Sequence, residues 1–198
     1  MFTTLFFWGL DGTAAAILLL PIFCLLHKYC FHSVKKTIWC FFLALYLCAV
    51  YVVVGLPDIR YIRLDFNINL KPFAYMFSAY KSTLLNVLLF VPLGFFLTVL
   101  WKRFGKVWWT VLFGFCTSLT IELLQIFTYR ATDVNDLMTN TVGAFLGWCI
   151  GRLTLRLIPG LKPEEDTQTV FAVCAISFGV MFFLHPFLAD FVVSTLLR

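Results

Sequence analysis

Residues 83–127 read TLLNVLLFVPLGFFLTVL, then WKRFGK, then VWWTVLFGFCTSLTIELLQIF, and this stretch decides the fold class. A helix needs about 20 mostly apolar residues to cross a bilayer. The two apolar runs, Thr83–Leu100 and Val107–Phe127, have this length. The short loop between them carries Lys102, Arg103 and Lys106. Two apolar helices joined by a short basic loop are typical of a multi-pass membrane protein.

Composition extends this conclusion to the whole chain. Of its 198 residues, 62% are hydrophobic and 13% are charged, whereas soluble domains have about 45–50% apolar and about 25% charged residues. This excludes a soluble globular domain. The net charge of +5 does not indicate nucleic acid, because the basic residues lie in short loops where anionic lipid headgroups would face them. The seven cysteines form no CxxC pair, so neither a disulfide scaffold, a metal site nor a cofactor is predicted.

Four further segments have the length and composition of membrane spans. Thr37–Leu56, Leu137–Ile158 and Thr169–Ala189 are continuous apolar runs, although the second is charged towards its end. Leu5–Leu26 is weaker, because Asp11 interrupts it. The sequence therefore predicts an all-α integral membrane helical bundle of about six transmembrane helices.

The distribution of basic residues predicts the topology. Cytoplasmic loops are enriched in Lys and Arg, and alternate loops of this chain carry nine and six such residues. The richer side holds the loops His27–Lys36 and Trp101–Lys106 and the segment after the fifth span. Both termini and the loops Pro57–Ser82 and Thr128–Asp136 are thus expected outside. Within the longer outer loop, alternating apolar and polar residues at 67–80 indicate an interfacial or re-entrant segment.

Polar residues inside a span are costly and often mark a functional site. Ser118, Glu122, Gln125 and Tyr129 recur at helical spacing, so one face of the fourth span carries a polar stripe. Glu122 would lie about 8 Å below the outer end of that span. We expect several groups near the same end of the bundle to form a ligand-binding polar cluster, which consists of Asn86, Glu122, Gln125, Arg130, Asp133, Asp136 and Asn140.

Each member also has a structural interpretation. Asp133 and Asp136 have the spacing of a helix N-cap and its N3 partner. Arg130 could anchor a helix end among headgroups. Asn86 and Asn140 could form hydrogen bonds between helices. Both interpretations stay open on the sequence alone.

Three glycines, at positions 143, 147 and 151, recur four residues apart in the fifth span. Small residues at this spacing let another membrane helix approach closely. The pattern predicts a tightly packed helix pair that involves the fifth span.

Three stretches resemble the VanZ family: NVLLFVPLGFFL (Asn86–Leu97), SLTIELLQIFTYRATDVNDLMTNTVGAFLG (Ser118–Gly147) and NLKPF (Asn69–Phe73). The last is similar to an NLIPF-type element of that family, with Lys71 in place of an apolar residue. The resemblance covers about three fifths of the chain, roughly Thr37–Ile158.

The resemblance implies a division of the chain and a cellular setting. Residues 37–158 would form a four-helix VanZ-like membrane core, residues 1–36 an extra span with a basic inner loop, and residues 159–198 a C-terminal span. It implies a multi-pass protein of the bacterial plasma membrane. It also implies a link to resistance against teicoplanin-like glycopeptide antibiotics.

Three functions are compatible with these features. The favoured one is a protein that binds or modulates an envelope lipid or a lipid-linked or lipoglycopeptide ligand at the outer leaflet. The second is a membrane enzyme in which Glu122, Asp133 and Asp136 are the candidate catalytic residues for a lipid or cell-wall precursor. It is disfavoured because no His lies near the polar cluster. The third is a small transporter or flippase, which would require a homo-oligomer at this length.

Overall fold

A computed structural model describes residues 2–69, 71–73, 80–128 and 130–196. These residues are mostly helical, which confirms the predicted all-α class. The α-helices are α1 (Phe2–Leu26), α2 (Val34–Val54), α3 (Tyr80–Leu100), α4 (Val107–Gln125), α5 (Val134–Leu157), α6 (Gln168–Gly179) and α7 (His185–Leu196). Short π-helical turns are His27–Phe31 and Val180–Leu184, and a 3₁₀ turn is Lys102–Gly105. Two strands, β1 (Ile68–Asn69) and β2 (Thr132–Asp133), pair in parallel; the sequence analysis did not predict them.

Within the described residues, five helical segments are long and apolar enough to cross a membrane. The first includes α1 from Gly9 onward and the π-helical turn after it, although Asp11 interrupts it, and the last joins α6 to most of α7 through the second π-helical turn. The prediction of a membrane helical bundle is therefore confirmed. The five segments are Gly9–Phe31, Val34–Val54, Tyr80–Leu100, Val107–Gln125 and Gln168–Val192.

Helix α5 is more polar than these five, yet its polar side faces inward. It has 24 residues, which gives a length of about 36 Å, enough for a span. Asn135, Asn140 and the three glycines predicted to pack are buried, while Phe145, Ile150 and Leu153 are exposed. An apolar exterior around a polar buried face suits a helix surrounded by lipid. This arrangement supports α5 as a sixth span, which stays a prediction.

The glycine stripe of α5 packs directly against α3. A Cβ on Gly143 would overlap the carbonyl oxygen of Val87, and one on Gly147 would overlap the carbonyl oxygen of Val91. The third glycine faces the side chain of Thr98. The predicted close helix approach is thus confirmed, and α3 is the partner.

Local sequence explains where several helices begin and end. Ser33 precedes α2, and its side chain accepts a hydrogen bond from the Lys36 N–H at 3.4 Å. Gly55 ends α2 with φ 63°, a left-handed conformation that glycine adopts without a steric penalty. Asp133 precedes α5 and caps it in the same manner as Ser33 caps α2.

The chain forms two compact units. One comprises residues up to 62 together with residues from 171 onward, and in it His185 Nε2 lies 3.4 Å from Asp11 Oδ1. The other comprises residues 63–170, with α3, α4, α5 and both strands. This second unit contains every residue of the predicted polar cluster.

Candidate functional site

An extended segment runs along the end of α4 and shapes the site. The N–H groups of Arg63 and Asp65 donate to the carbonyls of Phe127 (3.0 Å) and Ile126 (2.8 Å). The Thr132 N–H donates to the Asn67 carbonyl at 3.0 Å. The next residues form β1, which pairs with β2 in the register Ile68 to Thr132 and Asn69 to Asp133. The segment 63–69 is thereby fixed against the connection between α4 and α5.

Glu122 lies at the centre of this arrangement. Its side chain is buried, and its Oε2 accepts the Asp133 N–H at 2.8 Å. Its backbone carbonyl accepts the hydroxyl of Thr132 at 3.0 Å. No described residue donates a hydrogen bond to the second carboxylate oxygen, Oε1. Oε2 of Glu122 therefore joins α4 to the start of α5, and Oε1 can accept a further hydrogen bond.

Asp133 uses both of its oxygens within the protein. Oδ1 accepts the Asn135 backbone N–H at 2.8 Å and the Asn135 side-chain amide at 2.9 Å. Oδ2 accepts the side-chain amide of Asn69 at 3.1 Å. The predicted N-cap role is confirmed, and Asp133 holds the site together rather than offering an open acceptor.

Asp136, in the first turn of α5, has different neighbours. The side chain of Asn86, from the start of α3, hydrogen-bonds its carboxylate, and Arg130 is near enough to interact with it electrostatically. Asn86 and Asp136 are half-buried, and Arg130 is exposed. Asp136 thus lies between the side-chain amide of Asn86 and the exposed guanidinium of Arg130.

Two hydrogen bonds hold the described part of the NLKPF element against α5. The side-chain amide of Asn135 donates to the Lys71 carbonyl at 3.2 Å, and the Phe73 N–H donates to Asn135 Oδ1 at 2.6 Å. Phe73 has φ 62°, a left-handed conformation that costs a non-glycine residue about 1–2 kcal/mol. Leu70 and residues 74–79 lie outside the described residues, so the interfacial segment predicted there stays a prediction.

Two further members of the predicted cluster, Asn140 and Gln125, are buried. The side-chain amide of Asn140 donates to Ser118 Oγ at 2.9 Å, which joins α5 to α4. Gln125 is buried at the end of α4. Tyr129, the last member of the predicted polar stripe, lies outside the described residues. Asn140 thus forms a hydrogen bond between helices, as one of the two sequence interpretations expected.

Sequence reasoning missed Asn69 and Asn135 as members of the site. Asn135 makes four of the contacts described above, and Asn69 connects the loop before α3 to the helix cap. A signal for Asn135 was present, because an amide between two acids at a helix start can bond on both sides. For Asn69 the signal was its place at the head of the NLKPF element.

The groups left to act on a ligand form what we call the carboxylate site: Glu122, Asp136 and Arg130, with Asn86 beside them. Glu122 is close enough to Asp136 for the two carboxyl groups to interact electrostatically, and Arg130 is a cation close to Asp136. Among the described residues, no group of three or more His, Cys, Asp or Glu side chains is arranged to hold a metal ion. The carboxylate site offers hydrogen-bond acceptors and one guanidinium donor.

Comparison with known proteins identifies the family. A family model described as VanZ/LLP1 matches residues 41–155. Protein VanZ of Enterococcus faecium is 40% identical to this chain over 82 residues, which are 41% of this chain and 50% of that protein. The chain thus aligns with about half the length of this curated relative. No solved structure matches the chain. The match to the family model covers more than half of the chain and includes all of α3, α4 and the carboxylate site, so the chain belongs to the VanZ/LLP1 family.

Proposed function

We propose that this protein binds an amphiphilic envelope molecule, a lipid or a lipid-linked compound, at the outer face of the bacterial plasma membrane. The observation that carries the proposal is the pairing of exposed Arg130 with half-buried Asp136, which in turn lies close to buried Glu122. Arg130 can grip a phosphate or carboxylate with two parallel hydrogen bonds. Asp136 and the free oxygen of Glu122 can accept hydrogen bonds from an amine or hydroxyl of the same headgroup.

The surroundings of the carboxylate site favour an amphiphile over a small polar solute. Leu84 and Leu85 immediately precede Asn86 on α3 and are 55% and 64% exposed. Phe73 on the clamped loop is 62% exposed. A polar site bordered by exposed apolar side chains can bind a headgroup while lipid chains lie alongside.

The charge distribution along α4 supports the proposed orientation. Lys102, Arg103 and Lys106 precede the helix, and the carboxylate site lies at its other end. Basic loops prefer the cytoplasmic side. With this orientation the carboxylate site faces outward, and both termini lie outside, where a glycopeptide antibiotic would first meet the cell.

An enzyme is the second candidate, and one observation favours it. Glu122 is buried with one unbonded oxygen close to Asp136, and paired carboxylates in a partly desolvated site suit general acid–base chemistry on a lipid-linked substrate.

One experiment separates the two functions. Cells with and without the protein are compared for surface binding of a fluorescent teicoplanin and for the covalent composition of extracted lipids and wall precursors. Lower antibiotic binding with an unchanged covalent profile supports binding or modulation. A new or depleted covalent species supports the enzyme. No change in either measurement contradicts both. Cells that express Glu122→Gln at the same level are the matched control.

A further inference from the structure

A cavity lies at the opposite end of α4 from the carboxylate site. It has a volume of about 270 Å³ and is lined by Lys102, Arg103, Lys106, Trp109 and Glu165. Three cations and one anion give this lining a net charge of +2 at neutral pH. The cavity belongs wholly to the unit of residues 63–170. Its charge favours an anionic ligand.

The charges in this cavity are not equivalent. Lys102 Nζ lies 2.8 Å from Glu165 Oε1, and the hydrogen bond and charge of Glu165 raise the pKa of Lys102. The same contact lowers the pKa of Glu165, so the pair stays ionised around neutral pH. Glu165 therefore neutralises Lys102. Arg103 and Lys106 carry the excess positive charge.

The guanidinium of Arg103 contacts an aromatic ring. Its guanidinium carbon lies 3.9 Å from the centroid of the Trp109 ring, a close cation–π contact. This contact keeps the guanidinium next to the ring, within the lining of the cavity. A planar fork of donors held in this manner suits the two oxygens of a phosphate ester.

The turn that carries these cations is firmly held. The Lys102 N–H donates to the Glu164 carbonyl at 2.8 Å, and the Glu164 N–H donates to the Leu100 carbonyl at 2.8 Å. The Gly105 carbonyl accepts the indole N–H of Trp148 at 3.1 Å, and the Phe104 carbonyl accepts the Thr110 hydroxyl at 2.7 Å. A scaffold fixed by these bonds loses little entropy on binding, which favours a preformed site.

The depth of the cavity along the membrane normal indicates which phosphate-containing molecule binds there. Helix α4 has 19 residues, so its ends lie about 28 Å apart, close to the roughly 30 Å thickness of the hydrocarbon core. Trp108, beside the cavity, is 68% exposed, and tryptophan is enriched at the level of the headgroups. We infer that this cavity binds the phosphodiester of an anionic phospholipid in the leaflet opposite the carboxylate site. Arg103 and Lys106 would grip the phosphate.

The test uses the full-length protein in a neutral detergent. Native mass spectrometry measures the apparent Kd for dioctanoyl phosphatidylglycerol, for dioctanoyl phosphatidylcholine, and for phosphatidylglycerol in the presence of inorganic phosphate. The variant Arg103→Gln/Lys106→Gln removes the two cations proposed to bind the phosphate. The control Arg156→Gln/Lys162→Gln removes the same charge from two exposed basic residues that do not line the cavity.

We expect phosphatidylglycerol to bind at least about tenfold more tightly than phosphatidylcholine, and the cavity variant to lose about tenfold or more. The control variant should stay within about twofold of the wild type. Equal affinity for the two lipids in the wild type would overturn the inference without any variant. Equal losses in the two variants would also overturn it, because they would indicate general surface charge. Displacement of phosphatidylglycerol by an equal concentration of inorganic phosphate would overturn the inference, because the lipid portion would then add nothing to binding.

Discussion

Glu122 Oε2 accepts the backbone N–H of Asp133 at 2.8 Å. In a capping box this N–H would bond to the residue three positions into the helix, which here is Asp136. A carboxylate from α4 therefore takes the place of Asp136 in capping α5. The consequence is a division of roles: Asp133 and Glu122 fasten the helix start, while Asp136 turns towards Asn86 and Arg130.

Glu122→Gln should abolish function while the protein stays folded. Gln keeps the shape and an oxygen that can still accept the Asp133 N–H, so the cap contact survives. What is lost is an ionisable carboxyl group beside Asp136. The measurements are the yield of monodisperse protein in detergent and the teicoplanin phenotype of expressing cells. Glu122→Ala is the control, because it leaves a buried N–H without an acceptor and should cost about 1–3 kcal/mol of stability. Normal yield together with a normal phenotype in the Gln variant would reject a working carboxylate.

Substitutions of Asp133 should lower stability, whereas substitution of Asp136 should impair function. Asp133→Ala removes the helix cap and the bonds to Asn69 and Asn135, so it should destabilise the protein by about 2 kcal/mol or more. Asp133→Asn can still cap the helix and should be milder. Asp136→Asn should leave thermal stability nearly unchanged and impair function. Thermal unfolding in detergent, read beside the teicoplanin phenotype, tests this contrast. Similar profiles for the two Asn variants would contradict the division of roles.

The sequence predicted the helices well because hydrophobic length alone determines a membrane span. It also placed Glu122, Asp133 and Asp136 at one end of the bundle, because helical spacing and a short loop leave little freedom. It could not separate the roles of the two aspartates, since their difference depends on Glu122 from another helix. The contact of Asn69 with Asp133 joins residues 64 positions apart. No local pattern reports such a pairing, and the two-residue strands that align it are too short to be recognised from sequence.

Gly147→Ala should destabilise the second unit strongly. The added Cβ would overlap the Val91 carbonyl oxygen and the backbone of Gly94 and Phe95 on α3, so the two helices would have to separate. Overpacking of this kind costs about 1–3 kcal/mol or more. Gly160→Ala is the matched control, because nothing lies within 4 Å of its added Cβ. Thermal unfolding in detergent should show a large decrease for the first variant and almost none for the second. Equal stability of the two variants would refute the close packing of α5 on α3.

Ala131→Cys should report the orientation of the carboxylate site. Ala131 is exposed in the loop between α4 and α5, and the seven native cysteines are replaced first. A membrane-impermeant thiol reagent should label it on intact cells. Gly160→Cys, exposed in the loop after α5, should be labelled only after permeabilisation. The reverse pattern would place the carboxylate site inside the cell and contradict the outer-leaflet proposal.

Arg130→Lys should impair function without reducing the amount of folded protein. Arg130 is exposed, so the substitution buries no charge and leaves no cavity. Lys keeps the positive charge near Asp136 but lacks the planar fork that can bind two oxygens of one phosphate or carboxylate. A ligand gripped at both oxygens should therefore bind about tenfold or more weakly, since one charge-assisted hydrogen bond is lost. The measurements are the teicoplanin phenotype and the yield of monodisperse protein, with Lys81→Arg as a control that changes an exposed cation elsewhere in the same unit. Full activity of Arg130→Lys would show that only a charge is needed there, and Arg130 would then be an interfacial anchor rather than part of a ligand site.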